Sequence, residues 1–561
     1  MNRLERADQL LLIAFLAVLA FPLLYAFRHF DDNTLTSWRW VFADTGMVRV
    51  FGFLSLGIIA AFFLSKMKVP DLHPISFLFC LSFLAVMPLW GAPETILDTA
   101  RYVLQSKQLE HHGIFSFLSG WGRETGAWTD LPVVPFFYGL IFRYLGDARI
   151  CLQIFTTTLF SLTVVLSYFI GKTLWDRETG LLAALFLPGI PYLLVQAPLV
   201  LVDAPLMFLL TLSLYLFLTA LRKGGPLRIA AAAGAISLAV LAKYSAGPML
   251  FLLPVVTFVL AKQGERLAVR RSAAVFAEAA VLAGLAFYAQ YDVFMEQVRL
   301  LREYQLPGFS RWQESFVSTF FFQVHPLATL SALVAVPVAI KRRDIRFLIP
   351  AWFAVLTLAI PAGRIRYILP LFPLFSLMAA YGLNVIKDSG IRRFITFCVL
   401  AASLAVAWGA YLPFLNRTSM ANLREAGYYI DTLPGDAVVV HVLPQRTSTG
   451  NTEMAIPLLD LYTRKRIIYR REHIVHPRAE QLQRSPLRFS WDVPLTSLYE
   501  DATEHDAMPA VVISSEPSPS TGSVRQGGPR LLAAFTSDTG IFRFKTFLAV
   551  FGQDPLAETA Q

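Results

Sequence analysis

Residues 205–221 read PLMFLLTLSLYLFLTAL, a run without a charged side chain. A helix needs roughly 20 mostly apolar residues to cross the hydrocarbon core of a membrane, and this run with its flanks reaches that length. Asp203 precedes the run, whereas Arg222 and Lys223 follow it directly. Because cytoplasmic loops are enriched in Lys and Arg, the stretch predicts a transmembrane helix whose C-terminal end faces the cytoplasm.

The same pattern recurs along the chain as far as residue 412. We count about thirteen apolar windows of this kind, at 9–27, 47–65, 73–90, 149–170, 180–196, 205–221, 229–245, 247–261, 273–290, 317–340, 347–361, 367–386 and 394–412. With a cytoplasmic N-terminus, the alternate loops that carry most of the Lys and Arg all lie inside. We therefore expect a multi-pass α-helical protein of a bacterial-type inner membrane.

Composition supports a membrane protein and argues against a nucleic-acid partner. The 561-residue chain is 55% hydrophobic and only 16% charged, whereas soluble proteins carry about 25% charged residues. The net charge of +10 comes largely from short loops between apolar runs. Membrane orientation explains that charge, so we expect membrane lipid, and no nucleic acid, among the partners.

One apolar stretch, Val133–Leu145, is too short to cross a membrane. We interpret it as an amphipathic helix on the outer interface, because counting it as a span would invert every later loop. This interpretation places a long loop, residues 91–148, on the outer side.

The composition changes after residue 412. Asp436–Leu443, Arg466–Tyr469 and Ala510–Ser514 are short apolar runs typical of buried strands, and Glu453–Tyr462 has the pattern of a helix between two of them. The sequence therefore predicts a transmembrane module over 1–412 and a small α/β domain over 413–561 outside the cytoplasm.

Acidic and basic side chains in loop 91–148 are the first candidates for chemistry. Asp98 and Arg101 are three residues apart, so on a helix they share a face, and Glu94 lies one turn earlier. A transfer reaction to a hydroxyl needs a base for the proton and cations for a phosphate leaving group. The alternative is a helix-capping Asp with a local ion pair.

Three further candidates lie near the outer ends of spans. Asp203 stands between apolar runs, where a mid-membrane carboxylate would cost on the order of 3 kcal/mol, so it belongs at an interface or in a polar cavity. With Pro205 it also forms a natural helix start. Lys243 is either a ligand or a snorkelling lysine. Arg366 lies outside, against the usual charge bias, and is a candidate for binding phosphate.

Metal and cofactor signals are weak. His111 and His112 are adjacent, so their side chains diverge on any regular element. The sequence has no P-loop, no Gly-rich dinucleotide turn and no zinc-type Cys/His spacing. We predict no metal site and no required cofactor, and we leave a divalent cation open.

With these residues in view, the chain resembles the GT-C membrane glycosyltransferases, which include protein O-mannosyltransferases and lipid A aminoarabinose transferases. Residues 98–102, DTARY, resemble the family's Asp-Glu-x-Arg-Tyr motif, and residues 128–132, WTDLP, resemble its Phe-(Asp/Glu)-Lys-Pro-Pro segment. Residues 203–205, 243–244 and 366–370 are similar to further family segments in the same order. Thr99 and Leu131 depart from the motifs, which have Glu and Lys there.

The resemblance implies transfer of a hexose or pentose from a polyprenyl-phosphate donor to an acceptor hydroxyl of a glycan, lipid or protein. It implies inversion, with Asp98 as general base. The donor and its phosphate would be bound by Arg101, Tyr102, Arg123, Lys243, Arg366 and Tyr367, and the acceptor side or second acidic site would comprise Glu94, Asp130 and Asp203. The alternatives are a transporter or flippase of lipid-linked saccharides, which needs no base, and an inactive scaffold.

Overall fold

The computed structural model describes residues 3–29, 41–42, 45–67, 69–308, 320–321, 323–359, 365–418, 420–443, 450–470, 477–485, 487–492, 495, 498–499, 508–516, 530–536 and 544–553. Within these ranges, eight helices are long and apolar enough to cross a membrane: Arg6–Arg28, Met47–Lys66, Pro74–Gly91, Arg149–Leu174, Asp203–Lys223, Ala268–Ala289, Ile365–Leu383 and Ser389–Leu415. The predicted multi-pass α-helical architecture is confirmed.

Eight is fewer than the roughly thirteen windows counted from the sequence, because several windows are shorter or broken helices. Val133–Leu145, Pro226–Val240, Ala246–Lys262 and Ile345–Ala359 are apolar but span only 10–17 residues each. The window 180–196 is divided between helices Arg177–Phe186 and Pro191–Gln196, the second of which begins with a proline. Hydropathy detects apolar runs, but proline decides where a helix ends. Two further helices precede residue 412, namely Tyr291–Leu300 and Pro326–Arg342.

Helix Asp98–Ser119 carries the first motif and has a kink at Gly113, whose φ of 87° is a conformation that favours glycine. It packs against helix Val133–Leu145, where the Ser106 hydroxyl donates to the Pro135 carbonyl at 3.3 Å. The Tyr138 hydroxyl in turn donates to the Leu201 carbonyl at 2.6 Å, just before helix Asp203–Lys223. The helix predicted over Val133–Leu145 has those bounds; its position at the membrane interface stays a prediction.

The C-terminal part forms a five-stranded mixed sheet in the order β2-β1-β3-β5-β4. The strands are β1 Ala437–Val442, β2 Arg466–Arg470, β3 Ala510–Ser514, β4 Leu531–Thr536 and β5 Phe547–Phe551. β1 is parallel to β2 and β3, whereas β5 is antiparallel to β3 and β4. Helices Ala421–Ile430 and Ala455–Asp460 accompany the sheet. The predicted α/β character is confirmed, and the sequence interpretation missed β4 and β5.

Helix Asp98–Ser119 lies between the membrane helices and this sheet. Leu97, Ala100 and Leu104 belong to the apolar core of the sheet unit, whereas Tyr102 and Val103 pack with the membrane helices. Two different faces of the helix are therefore buried, which fixes its orientation. The domain boundary at residues 412 and 413 stays a prediction.

Candidate active site

Asp98 is the first residue of helix Asp98–Ser119, and 22% of its side chain is exposed. Leu97 occupies the N-cap position and Asp98 the first helical position, and the local ion pair of Asp98 with Arg101 that the alternative interpretation expected is present. A carboxylate in the first turn is favoured by the partial positive charge at a helix N-terminus. Asp98 therefore starts the helix, and its carboxylate contacts one cation of the same helix, Arg101, and one from a distant segment, Arg366.

Arg366 joins Asp98 to Asp203. Its Nη1 lies 2.5 Å from Asp98 Oδ2, and its Nε lies 2.6 Å from Asp203 Oδ2. Arg366 is the second residue of the span Ile365–Leu383, and Asp203 is the first residue of the span Asp203–Lys223. The rigid guanidinium can hold two carboxylates at once because its N–H groups point in fixed, separate directions.

Lys243 is the second cation that contacts Asp203, in addition to Arg366. Its Nζ lies 2.8 Å from Asp203 Oδ1 and 5.5 Å from the centroid of the Tyr367 ring. Asp203 is almost fully buried, with 2% exposure, so its two cationic partners offset the cost of removing the carboxylate from water. The Lys243 ammonium is thus paired with the Asp203 carboxylate, although 23% of the Lys243 side chain is exposed.

Arg101 forms a second buried ion pair, with Asp130. Its Nη2 donates to Asp130 Oδ1 at 2.9 Å, and its Nε contacts Oδ2. The predicted contact of Arg101 with Asp98 is also present, at 3.5 Å. The Arg101 guanidinium carbon lies 4.6 Å from the centroid of the Phe489 ring, which belongs to the C-terminal unit. Buried Tyr102 has its hydroxyl 3.5 Å from Arg101 Nη2.

Burial and charge act in opposite directions on this pair. Burial raises the pKa of Asp130, and attraction to Arg101 only partly opposes that rise. Burial would lower the pKa of Arg101, but the carboxylates of Asp130 and Asp98 outweigh it and raise that pKa above its usual range. Arg101 therefore stays cationic at every physiological pH.

An apolar cavity of about 300 Å³ adjoins the ion pairs. Leu131 and Pro132, which directly follow Asp130, form part of its wall together with Phe136 and Phe294. Gln297, also on the wall, donates to the Asp130 backbone carbonyl at 2.8 Å. Charged groups and an apolar cavity of ligand size thus meet at residues 130–132.

Two predicted site residues are not brought into this cluster. The carboxylate of Glu94 is bound by Arg149, whose Nε and Nη2 lie 2.9 and 2.8 Å from Glu94 Oε1. Arg123 is exposed in the turn that links Gly120 to Thr125. The structure gathers Asp98, Arg101, Tyr102, Asp130, Asp203, Lys243, Arg366 and Tyr367.

Sequence reasoning missed Arg149, Gln297 and Phe489. Arg149 carried a usable signal, since it is a cation at the predicted outer end of a span, like Arg366. Gln297 and Phe489 carried none, because their proximity to Asp130 and Arg101 depends on packing between distant segments. Among the described residues, no three His, Cys, Asp or Glu side chains are grouped so as to hold a metal ion.

The comparison with family models finds one match. Residues 129–296 match the family described as dolichyl-phosphate-mannose-protein mannosyltransferase. The match covers under a third of the chain; it includes Asp130, Asp203 and Lys243 and excludes Asp98 and Arg366. No protein with a curated description matches the chain in sequence.

The structure is similar to that of ArnT from Cupriavidus metallidurans bound to undecaprenyl phosphate. The TM-score is 0.52 at 13% identity, and the alignment covers 86% of this chain and 98% of ArnT. The chain has the GT-C fold. ArnT in the apo state gives a TM-score of 0.51 at 13% identity, covering 85% and 97% of the two chains. Archaeal oligosaccharyltransferase AglB from Archaeoglobus fulgidus gives 0.46 at 12% identity, covering 80% and 70%. The predicted resemblance to GT-C membrane glycosyltransferases is confirmed.

Proposed function

We propose that this GT-C protein transfers a hexose or pentose from a polyprenyl-phosphate donor to an acceptor hydroxyl at the outer face of a bacterial inner membrane. Residues 1–412 form the catalytic module, and residues 413–561 lie outside the cytoplasm with loop 91–148. The observation that carries the proposal is the linked group of Asp98, Arg366 and Asp203, since it puts a partly exposed carboxylate beside a buried cation.

Asp98 is the general base in this proposal because it is the most accessible carboxylate of the cluster. Its side chain is 22% exposed, whereas those of Asp130 and Asp203 are 9% and 2% exposed. A base must reach the hydroxyl whose proton it takes. Asp130 instead holds Arg101 in place. Asp203 holds Lys243 and Arg366 in place.

The reaction is a single displacement. The acceptor oxygen attacks the anomeric carbon as its proton passes to Asp98, and the bond between that carbon and the phosphate oxygen breaks. Polyprenyl phosphate leaves with the bonding electron pair, and the anomeric configuration is inverted. Arg366, Arg101 and Lys243 stabilise the negative charge that grows on the phosphate.

Donor binding changes the partner of Arg366. A carboxylate in an ion pair is a weaker proton acceptor than a free one. When a phosphate oxygen takes the Nη1 donor of Arg366, Asp98 loses that partner and becomes a stronger base. Asp203 keeps Nε and holds the guanidinium in place.

The apolar cavity beside Leu131 is suited to the first isoprene units of the donor. Its wall is aliphatic and aromatic apart from Gln290 and Gln297, and apolar burial contributes roughly 25 cal/mol per Å². That ArnT binds undecaprenyl phosphate, and that the family matching residues 129–296 is described by a dolichyl-phosphate sugar, supports a lipid-phosphate donor.

The acceptor enters between loop 91–148 and the C-terminal unit. Arg488 lies over two aromatic rings, 5.9 Å from the centroid of Trp128 and 5.1 Å from that of Tyr304. Trp128 has a φ of 47°, a conformation that costs non-glycine residues about 1–3 kcal/mol and is concentrated at functional sites. Phe489 beside Arg488 covers Arg101. This cluster of aromatic and arginine side chains lines the proposed acceptor path.

Comparing wild-type and deletion cells by mass spectrometry of envelope lipids, glycans and proteins tests the function. We expect one sugar to be missing from one class of acceptor in the deletion strain. Purified protein with the matching lipid-linked donor should then restore that sugar and give the inverted anomer. A flippase would move the donor across liposomes and leave it untransferred, and that result would refute the proposal.

A further inference from the structure

Glu94 binds three separate parts of the chain through one buried carboxylate. It is 1% exposed. Oε1 accepts from Arg149 Nε and Nη2 at 2.9 and 2.8 Å. Oε2 accepts from the Thr99 hydroxyl at 3.1 Å and from the Val200 backbone N–H at 3.2 Å. With four donors, this carboxylate is well satisfied, which is the condition for burying a charge without a large penalty.

Two of these contacts lie close in sequence to members of the active site. Thr99 follows Asp98 directly, and Val200 lies three residues before Asp203. The Glu94 backbone N–H also donates to the Tyr462 hydroxyl at 2.7 Å, which connects the site to the C-terminal unit. Glu94 therefore fixes the segments that carry Asp98 and Asp203 without contacting either carboxylate itself.

Thr99 stands where the resembling motif has Glu. In this chain the Thr99 hydroxyl lies against the Glu94 carboxylate, so an acidic group is present at that place but comes from position 94. A Glu side chain at position 99 would extend beyond the Thr hydroxyl into the space that the Glu94 carboxylate occupies.

We propose that Glu94 is a positioning residue that fixes Asp98 relative to Asp203, and that it supplies from position 94 the carboxylate that the resembling motif carries at position 99. The inference rests on the proposed function. It replaces the predicted role of Glu94 at the acceptor, because the carboxylate is sealed from any substrate by its four donors.

Relocating the carboxylate tests this directly, with E94Q, T99E and the double variant E94Q/T99E. Gln keeps the size of Glu, but its amide nitrogen or its neutral oxygen replaces an oxygen that pairs with Arg149. E94Q should lower kcat by about 10- to 100-fold, the cost of a misplaced catalytic group, with little change in the KM for donor. T99E alone should lower stability, because two carboxylates then share one site.

The double variant should recover most of kcat and of the melting temperature lost in E94Q. Glu453→Gln is the matched control: Glu453 is a buried carboxylate of the C-terminal unit, bound by Tyr469 at 2.6 Å and Asn451 at 2.8 Å. It should lower the melting temperature without lowering kcat. A general loss of stability would thus be distinguished from a loss of positioning.

Two results would overturn the inference: E94Q that keeps wild-type kcat, or a double variant that is neither more active nor more stable than E94Q. If wild-type protein transfers no sugar, the proposed function fails, and the melting temperatures still decide whether a carboxylate at 99 replaces the one at 94.

Discussion

Arg366 Nη1 lies 2.5 Å from Asp98 Oδ2, although 268 positions separate the two residues in the chain. Because the same guanidinium also holds Asp203, the candidate base, its cation and a buried carboxylate form one unit. A substitution at one of these positions therefore changes the partners of the other two, and single variants are not expected to have additive effects.

Asp98→Asn removes the proposed base while keeping its size and most of its hydrogen bonding. An amide does not accept a proton at neutral pH, so turnover should fall by about 10²-fold or more. Binding of the lipid-linked donor should persist. Single-turnover transfer by purified protein measures the first effect, and retention of labelled donor measures the second. Near-normal transfer by a well-folded variant would exclude Asp98 as the base.

Arg366→Lys should lower kcat/KM because one ammonium cannot reach Asp98 and Asp203 in the two directions that the guanidinium spans. Arg366→Met should be more severe and should also lower stability, because the buried carboxylate of Asp203 then loses one of its two cationic partners and keeps only Lys243 of the pair. Asp203→Asn combined with Arg366→Met should not restore activity, because the guanidinium and the carboxylate that holds Lys243 are then both missing. Arg464→Met, a change of an exposed residue, is the control. Wild-type activity in Arg366→Met would show that the phosphate is held elsewhere.

Leu131→Lys places an ammonium in the apolar cavity, where Leu131 is only 4% exposed. The melting temperature in detergent should fall, because an unpaired buried cation is costly. Undecaprenyl phosphate should raise the melting temperature of this variant more than that of wild type if the phosphate lies beside residue 131. The same ligand should raise the melting temperature of Leu238→Lys, a change on the same cavity wall, by a smaller amount. Equal gains for both variants would place the phosphate away from residue 131.

Arg488→Ala removes the contacts that hold the rings of Trp128 and Tyr304, each worth about 0.5–2 kcal/mol, so the KM for acceptor should rise. The donor KM should change little, because Arg488 lies over Trp128 and Tyr304 rather than in the ion-pair cluster. Arg464→Ala, at an exposed position of the same unit, should match wild type. An unchanged acceptor KM in Arg488→Ala would remove this surface from the acceptor path.

The orientation in the membrane is tested by single cysteines in a variant that lacks Cys80, Cys151 and Cys398. Ser119 and Gln263 are both exposed. An impermeant thiol reagent added to intact cells should label a cysteine at 119, in loop 91–148, and should label one at 263 only after permeabilisation. The reverse result would put Asp98 on the face opposite to the flipped donor.

The local order of residues was sufficient to predict a multi-pass α-helical protein and the α/β character of its tail, and it yielded an expected orientation. Runs such as 205–221 carry this information because membrane burial depends on apolar length and on the charges at each end. The spacing of Asp98 and Arg101 likewise predicted a contact that the helix forms at 3.5 Å. The residues of β4, LLAAFT, alternate between half-buried and exposed in the sheet, but the sequence itself shows no such alternation, and β4 was missed.

Pairings between distant residues were decided only by the tertiary structure. Asp98 and Arg366 meet because helix Asp98–Ser119 is held between the membrane helices and the sheet. The sequence placed Glu94 on the side of the acceptor substrate, whereas in the tertiary structure its carboxylate is buried and paired with Arg149. Periodicity fixes which face of a helix a side chain occupies, but the packing of helices far apart in the chain fixes which charge it meets. The sequence thus determined which residues are chemically capable, and the fold determined which of them act together.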